Sequence, residues 1–219
     1  MSKKMLEIGL TGSRKSGKDG IAKLFSQLGV LVFDADAIVK YLLNYRPGIV
    51  ESVQKSFGKE YVFSGYINQL AFDTDEKFSA LIDLVEFDLF EAYHRFKQKQ
   101  KDKSYVMFHS SMMFERNYQK KFDSIISVFA PRADRMERYI LDSGDSVQLV
   151  QNLFSKEMSD LSKNQMSNFI IHNYFDAPDI LDQVQSIDDK IVDKYLSQSK
   201  SINDLEIDAY SHKKNIMTF

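Results

Sequence analysis

The sequence contains no cysteine, which excludes a disulfide framework, a thiolate zinc site and a cysteine nucleophile. It also has no apolar run near the roughly 18 residues that a membrane-spanning helix requires. The residues before Leu6 lack the apolar stretch of a signal peptide. We therefore expect a soluble, cytoplasmic protein with no membrane partner.

An excess of positive charge is missing as well. Lys and Arg total 29 against 31 for Asp and Glu, and the net charge is −2. A broad nucleic-acid surface needs a basic excess, so no nucleic-acid partner is expected, although a local basic site remains compatible with this balance. Hydrophobic residues make up 43% and charged residues 27%, which is typical of a globular chain. Nothing in the sequence indicates an oligomeric state.

Strand-like and helix-like patterns alternate at the start of the chain. Leu6–Thr11 and Val30–Phe33 are short apolar runs, whereas Ile21–Leu28 and Ala35–Leu43 carry apolar residues at helical spacing. This alternation predicts an α/β fold with a parallel sheet and helical crossovers. A sheet of about five strands flanked by helices is expected, because strand patterns return at Tyr105–Phe108, Ser124–Phe129 and Phe169–Ile171.

Residues 46–103 interrupt this alternation, and we interpret them as a helical insertion. A helix is predicted over Val50–Phe57, a turn-like segment over Phe63–Asn68 and a long amphipathic helix over Asp75–Lys101. Further helices are predicted over Pro131–Leu141, Val147–Met158 and Ile180–Leu196. The polar residues 198–219 have no clear period, so a loose or appended tail is expected.

The segment Gly12–Lys18, GSRKSGK, matches the G-x-x-x-x-G-K pattern of a phosphate-binding loop. Glycines let the backbone wrap so that amide groups point at phosphate oxygens, and the following helix adds its positive dipole end. The strand before and the helix after favour phosphate binding over a lysine-rich surface turn, with Lys18 reaching the terminal phosphates. The predicted nucleotide contacts are Gly12, Ser13, Arg14, Lys15, Ser16, Gly17, Lys18, Asp19 and Gly20.

Asp19 stands where most such loops carry a Ser or Thr that binds Mg²⁺ through its hydroxyl. A carboxylate also suits this ion, because Mg²⁺ favours oxygen ligands and keeps several waters. Asp19 is equally a favourable acid for the first turn of a helix. The two roles are compatible, so Asp19 is a candidate metal ligand.

Asp34 and Asp36 follow the second predicted strand. The carboxyl ends of strands form the active-site edge in parallel α/β folds, so both acids are expected near the phosphate-binding loop. One can take a proton from an attacking hydroxyl while the other holds water on a metal. Considered alone, Asp34 is as well suited to cap a helix as to catalyse a reaction.

Together these segments resemble the dephospho-CoA kinase family. The resemblance is strong over Ile8–Lys18, Phe25–Gly29 and Val32–Ile38, which contains the family's Asp-Ala-Asp, and weaker over Met112–Glu115 and Phe169–Asn173. It implies a P-loop NTPase/kinase fold with a lid. The implied reaction is ATP- and Mg²⁺-dependent phosphorylation of the ribose 3′-hydroxyl of dephospho-CoA, a small-molecule substrate, in the last step of coenzyme A synthesis.

The resemblance also assigns residues and segments. Catalytic roles fall on Asp34 as the base, Lys18 and Arg138. Asn173 joins the nucleotide contacts, and Asp19 and Asp36 are the implied metal ligands. The implied divisions are core segments 1–45, 104–130 and 163–197, an insertion 46–103 that binds the pantetheine part of the substrate, a lid 131–162 and a tail 198–219.

The predicted lid departs from the family pattern. Arg138–Asp142 lacks the second arginine of Arg-x-x-x-Arg-Asp, and a later arginine is missing near Leu153–Glu157. Lid arginines stabilise charge on the transferred phosphoryl group and contribute about 10³-fold or more in rate. Arg132 and Arg135 lie within two helical turns of Arg138 and are candidates to replace them.

Two alternatives stay open. Some deoxynucleoside monophosphate kinases share the Gly-Lys-Asp loop, which keeps the fold and changes the substrate. The missing arginines also fit a catalytically degenerate relative that only binds nucleotide, because lost charge stabilisation lowers rate before it lowers binding. His109 replaces an acid of the family at a strand end, where a structural role is favoured over substrate contact.

Overall fold

A computed structural model describes residues 4–68, 71–72, 74–99, 103–155, 157–174 and 176–197. The strands are β1 Leu6–Gly12, β2 Leu31–Asp34, β3 Val62–Phe63, β4 Tyr66–Ile67, β5 Tyr105–His109, β6 Ser124–Phe129 and β7 Phe169–His172. The helices are α1 Lys18–Gln27, α2 Ala35–Tyr45, α3 Ile49–Phe57, α4 Asp75–Gln98, α5 Arg132–Ser143, α6 Val147–Ser155, α7 Asp160–Gln165 and α8, residues 180–197. The tail expected over 198–219 lies outside the described residues.

Five strands form one parallel sheet in the order β2-β5-β1-β6-β7. Strand β1 is central, with Gly9 paired to Phe108 of β5 on one side and to Ile125 of β6 on the other. All five carboxyl ends therefore meet at one edge, where the loop after β1 emerges. The predicted α/β fold with a five-stranded parallel sheet is confirmed.

Helices cover both faces of the sheet. Alternate residues of a strand point to opposite faces, so Val106 and Phe108 of β5 enter one core while Tyr105 and Met107 enter the other. The first core lies under α2, α3 and α4, and the second lies under α1 and α8. Burial on both faces explains why these strands read as continuous apolar runs in the sequence.

Two segments differ from their predicted form. The turn-like stretch is a short hairpin of β3 and β4, in which Ser64 and Gly65 take the positive φ values of 50° and 81° that a tight hairpin turn requires. The helix predicted to reach Met158 ends at Ser155, and α7 follows separately. Ser159 starts α7, because its Oγ accepts the backbone N–H of Ser162 at 3.1 Å as an N-cap.

Within the ranges that the structure describes, none of the helices combines the length and the apolar character needed to cross a membrane.

Candidate active site

The loop between β1 and α1 is a tight wrap of backbone. The N–H of Ser16 donates to the carbonyl of Ser13 at 3.0 Å, and the N–H of Gly20 donates to the carbonyl of Gly17 at 3.0 Å. Lys15 and Gly17 both have positive φ, at 60° and 89°. These two left-handed residues reverse the chain direction, so that α1 starts directly behind the loop with its N-terminal amides facing it.

Close contacts explain why glycines are needed in this loop. A Cβ on Gly17 would lie 2.1 Å from Nδ2 of Asn173, and a Cβ on Gly12 would lie 2.7 Å from the carbonyl oxygen of Val128. Asn173, just after β7, donates from Nδ2 to the carbonyl of Ser16 at 2.7 Å. Asn173 therefore stabilises the loop from the end of β7. Its predicted contact with a nucleotide stays a prediction.

Lys18 is the cation at the centre of what we call the strand-end cluster. Its Nζ lies 2.8 Å from Oδ1 of Asp19 and 3.2 Å from Oδ2 of Asp36. Burial acts to lower the pKa of Lys18, but the charges of Asp36 and Asp19 outweigh it and the net shift is upward. Lys18 therefore keeps its positive charge. The strand-end cluster comprises Lys18, Asp19, Asp34, Asp36 and His109.

Asp34 and Asp36 are held differently at the start of α2. Asp36 accepts the backbone N–H of Ser111 at 3.0 and 3.1 Å, whereas Oδ1 of Asp34 accepts the N–H of Ala37 at 3.0 Å and caps α2. The hydrogen bond with His109 and then the bond from Ala37 lower the pKa of Asp34, although burial opposes them. Asp34 is therefore an ionised, half-exposed carboxylate that caps α2 and also contributes a negative charge to the strand-end cluster.

His109, at the end of β5, is buried beside the charged residues of the site. Its side chain is 4% exposed, with Nδ1 3.5 Å from Oδ1 of Asp34 and Nε2 3.2 Å from both Nζ of Lys18 and Oδ1 of Asp19. Burial acts to lower the pKa of His109, but its hydrogen bonds with Asp19 and Asp34 raise it, and the net shift is upward. A structural role was expected for His109, whereas the structure places its imidazole among the charged residues of the site.

The acids named as metal ligands fit a Mg²⁺ ion chemically. Asp19 and Asp36 approach the same ammonium group, so their carboxylates face a common point. Mg²⁺ is usually bound through one or two carboxylates together with phosphate oxygens and water. Over the described part of the chain, no group of three or more His, Asp or Glu side chains is arranged to hold a metal ion. The metal role of Asp19 and Asp36 stays a prediction.

Arg135 forms a second cluster beside the loop, which we call the arginine network. Its guanidinium is 3% exposed and donates to the carbonyl of Arg14 at 3.1 Å, to Glu157 at 2.9 Å and to Asp160 at 2.8 Å. Asp160 also accepts the hydroxyl of Ser13 at 2.6 Å. The arginine network comprises Ser13, Arg14, Arg135, Glu157 and Asp160. Two carboxylates and the carbonyl of Arg14 thus hold the guanidinium of Arg135 beside the loop, and its replacement of a lid arginine stays a prediction.

Arg138 lies against the loop from the same helix. Its Nη1 donates to the carbonyl of Lys15 at 3.3 Å and its Nη2 donates to the carbonyl of Asn173 at 3.2 Å. Lys15 in turn pairs with Asp142 at the end of α5. Arg132, the other candidate replacement, is exposed on α5. The structure thus brings Arg138 next to the loop, and its catalytic role stays a prediction.

Sequence reasoning missed the acids that hold the arginine network. Glu157 lies at the end of a segment that lacks a family arginine, and Asp160 follows three residues later; both pair with Arg135. The available signal was the presence of acids close to a segment from which an arginine is missing. The contact itself depends on how α5, α6 and α7 pack, which the sequence pattern does not specify.

Comparisons with known proteins agree on one family. The sequence model of dephospho-CoA kinase matches residues 6–179. A dephospho-CoA kinase of Bartonella quintana is 31% identical over 187 residues, which cover 82% of this chain and 95% of that protein. A dephospho-CoA kinase of Clostridium tetani is 27% identical over 181 residues, which cover 78% of this chain and 79% of that protein.

Solved structures share the fold. A protein from Thermus thermophilus has a TM-score of 0.71 at 22% identity, and the match covers 87% of this chain and 98% of that protein. A dephospho-CoA kinase from Campylobacter jejuni has a TM-score of 0.59 at 16% identity, and the match covers 86% of this chain and 98% of that protein. The likeness extends over nearly the full length of both proteins.

Proposed function

Because this chain belongs to the dephospho-CoA kinase family, we propose that it transfers the γ-phosphoryl group of ATP to the ribose 3′-hydroxyl of dephospho-CoA. This reaction is the last step of coenzyme A synthesis. The observation that carries the proposal is the placement of Lys18 at the end of the phosphate-binding loop, next to the carboxylates of Asp19 and Asp36 in the first turns of α1 and α2. A loop lined with amides, one cation and several acids is the set of groups that phosphoryl transfer from ATP uses.

The loop and Lys18 bind the phosphate chain of ATP. In the free protein the ammonium of Lys18 neutralises Asp19 and Asp36, at 2.8 and 3.2 Å. A bound γ-phosphate would offer Lys18 another anion, and Asp19 and Asp36 would then be free to hold Mg²⁺ together with phosphate oxygens and water. Bound there, the ion would supply positive charge against the phosphate oxygens. Nucleotide binding would thus replace the ion pairs of Lys18 with Asp19 and Asp36 by an ion pair of Lys18 with phosphate.

Asp34 acts on the acceptor. Its carboxylate is ionised and 52% exposed, so it can accept the proton of the 3′-hydroxyl as that oxygen forms its bond to phosphorus and ADP leaves. Because the transition state of phosphoryl transfer is loose, orienting the hydroxyl matters as much as removing its proton. An acid with a lowered pKa suits this orienting role.

Arg14, Lys15 and Arg138 supply further positive charge at the loop. Arg14 pairs with Glu157 at 3.3 Å and its side chain is 45% exposed, and Lys15 pairs with Asp142. Exposed ion pairs are weak and exchange readily for a phosphate. These side chains therefore offer replacements for the missing lid arginines. The exposed aromatic residues Phe63 and Tyr66 of the hairpin add apolar surface to the proposed substrate-binding insertion, residues 46–103.

The proposal is tested with purified protein, Mg²⁺ and ATP. Dephospho-CoA should yield a product one phosphate heavier, with the new phosphate on the ribose 3′ position by mass spectrometry and NMR. Deoxynucleoside monophosphates in a parallel panel should show less than about one hundredth of that kcat/KM, as a site with unmatched polar groups rejects the wrong acceptor.

A matched variant completes the test. Asp34→Asn should lower kcat about 10²- to 10⁴-fold, the range for loss of a general base, and leave a measurable residual rate. ATP binding by calorimetry should be retained, because Asn keeps the size and can still cap α2. Faster turnover of a deoxynucleoside monophosphate would favour the nucleotide kinase alternative. ATP binding by the wild-type protein without turnover of any acceptor would favour the degenerate relative and contradict the proposed function.

A further inference from the structure

We propose that His109 is a positioning residue for Asp34: its Nδ1–H holds one oxygen of the carboxylate, so that the other oxygen is directed at the acceptor hydroxyl. This inference rests on the proposed function, in which Asp34 accepts the proton of that hydroxyl.

The register of the sheet places His109 beside Asp34. In the parallel pair of β2 and β5, Asp34 is directly opposite His109, and Leu10 of the central strand is opposite His109 on the other side. Neighbouring side chains in register lie on the same face of a sheet. The imidazole is 4% exposed, so its orientation is set by packing in the central part of the sheet. A buried ring on a strand is a rigid support for a half-exposed carboxylate.

The contacts of Asp34 converge on one of its oxygens. Oδ1 accepts the N–H of Ala37 at 3.0 Å and lies 3.5 Å from Nδ1 of His109. Among the described residues, no group hydrogen-bonds Oδ2 of Asp34. The two contacts together hold Oδ1 in place, and Oδ2 remains open for the substrate. The longer contact is of the kind that tightens when a substrate binds.

The neighbours of the other ring nitrogen determine where the proton sits. Nε2 lies 3.2 Å from Nζ of Lys18, which has only protons to donate. A neutral imidazole therefore accepts at Nε2 and carries its proton on Nδ1, facing Asp34. A charged imidazolium directs Nε2–H at Oδ1 of Asp19, 3.2 Å away, and still carries a proton on Nδ1. Both states place a donor against Asp34, whereas the neutral Nε2–H form would point a lone pair at a carboxylate.

Two amide substitutions of His109 distinguish the role of Nδ1 from that of Nε2. The amide of His109→Asn reaches the position of Nδ1, whereas the longer His109→Gln reaches that of Nε2, next to Lys18. His109→Leu should lower kcat about 10- to 100-fold, the range expected when a reacting group is misplaced. KM for ATP and for dephospho-CoA should change less than about threefold, because substrate contacts remain. His109→Asn should recover kcat to within about fivefold of wild type, and His109→Gln should stay near the Leu variant.

Recovery by Gln rather than Asn would overturn the proposal, as would parallel losses in kcat and in KM for ATP. A double-mutant cycle adds a second criterion: in an Asp34→Asn background, His109→Leu should cost less than about twofold, because its effect passes through Asp34. A full additional loss in that background would also overturn the proposal.

Imidazole ¹⁵N NMR of the wild-type protein tests the same contact without any turnover. Nδ1 of His109 should carry a proton, and its resonance should shift in Asp34→Asn. A neutral Nε2–H tautomer would contradict the proposal. Absence of dephospho-CoA turnover by the wild type would instead contradict the proposed function, and the NMR result would still decide whether His109 donates to Asp34.

Discussion

The arginine network and the strand-end cluster both contact the phosphate-binding loop, and they differ in exposure and in charge balance. In the arginine network Arg135, Glu157 and Asp160 have side chains that are 3%, 15% and 21% exposed. In the strand-end cluster Asp19 and Asp34 are 76% and 52% exposed. Three carboxylates there face one lysine and one histidine. Arg135, Glu157 and Asp160 satisfy their charges within the chain, whereas the strand-end cluster retains anionic groups that solvent or a ligand can reach.

This difference indicates separate roles for the two clusters. A buried ion pair is costly to break, because removing one partner leaves an uncompensated charge away from water. Exposed charges lose little when a partner is exchanged, because water screens them. We therefore expect substitutions in the arginine network to lower stability first, and substitutions in the strand-end cluster to lower activity first.

The largest expected effect is on stability. Arg135→Met should lower the free energy of unfolding by about 3–5 kcal/mol, because it leaves Glu157 and Asp160 without their buried cation. Urea denaturation followed by circular dichroism measures the change. The control is Arg132→Met on the exposed face of the same helix, with an expected change within about 0.5 kcal/mol. Equal losses in the two variants would show that the network does not stabilise the fold.

The two lysines of the loop provide the next comparison. Lys18→Gln should lower kcat/KM about 100- to 1,000-fold, the usual loss when one preorganised donor to a developing charge is removed. Lys15→Gln should cost less than about tenfold, since Lys15 is more exposed and pairs with Asp142. Steady-state phosphoryl transfer and urea denaturation of both variants test this. If unfolding accounted for the loss of kcat/KM in Lys18→Gln, the strand-end cluster would affect stability first, as the arginine network does, and the expected difference between the two clusters would be wrong.

The sequence predicts local features of the site well. The loop Gly12–Lys18 is defined by glycines at positions that only glycine fits, and the strands around it are buried on both faces and therefore strongly apolar. Helices α1, α2 and α4 follow from apolar spacing over several turns. Each of these features depends on residues that are neighbours along the chain.

Contacts between distant residues were not predictable in the same way. Ser13 and Asp160 are 147 positions apart, and their bond depends on the packing of α7 against the loop. His109 meets Asp34 only because β5 lies next to β2 in the sheet order. A hydrophobic pattern indicates that a strand is buried, but it does not say which strand is its neighbour. The role of His109 therefore became visible only with the topology.

A smaller effect is expected where the network reaches the loop. Ser13→Ala removes the hydroxyl that donates to Asp160 at 2.6 Å, and Ser13 is buried. The free energy of unfolding should fall by about 1.5–3 kcal/mol, the typical contribution of a hydrogen bond to a charged acceptor. Thermal and urea denaturation measure it. Ser155→Ala on α6, whose hydroxyl bonds to its own helix, is the control and should change stability by less than about 0.5 kcal/mol.

The smallest effect is a pH dependence of stability in the strand-end cluster. Folding raises the pKa of His109, so its contribution is present below its ordinary value of 6.5 and is lost as pH rises through the folded pKa. The pKa of Asp34 is lowered, so its contribution is present above 3.8 and is lost as pH falls through the folded pKa. The groups facing the imidazole are Lys18, Asp19, Asp34 and Asp36.

The stability difference between wild type and His109→Asn should therefore be larger at pH 5.5 than at pH 9, and Tm measured without Mg²⁺ at both pH values tests this. The change should be modest because Asp19 and Asp34 are largely exposed and water screens their attraction to the ring. A difference that grows with pH would mean that the imidazole is held neutral by burial. In that case the hydrogen bonds to Asp19 and Asp34 would not outweigh desolvation, and the strand-end cluster would carry less positive charge near neutral pH than its geometry indicates.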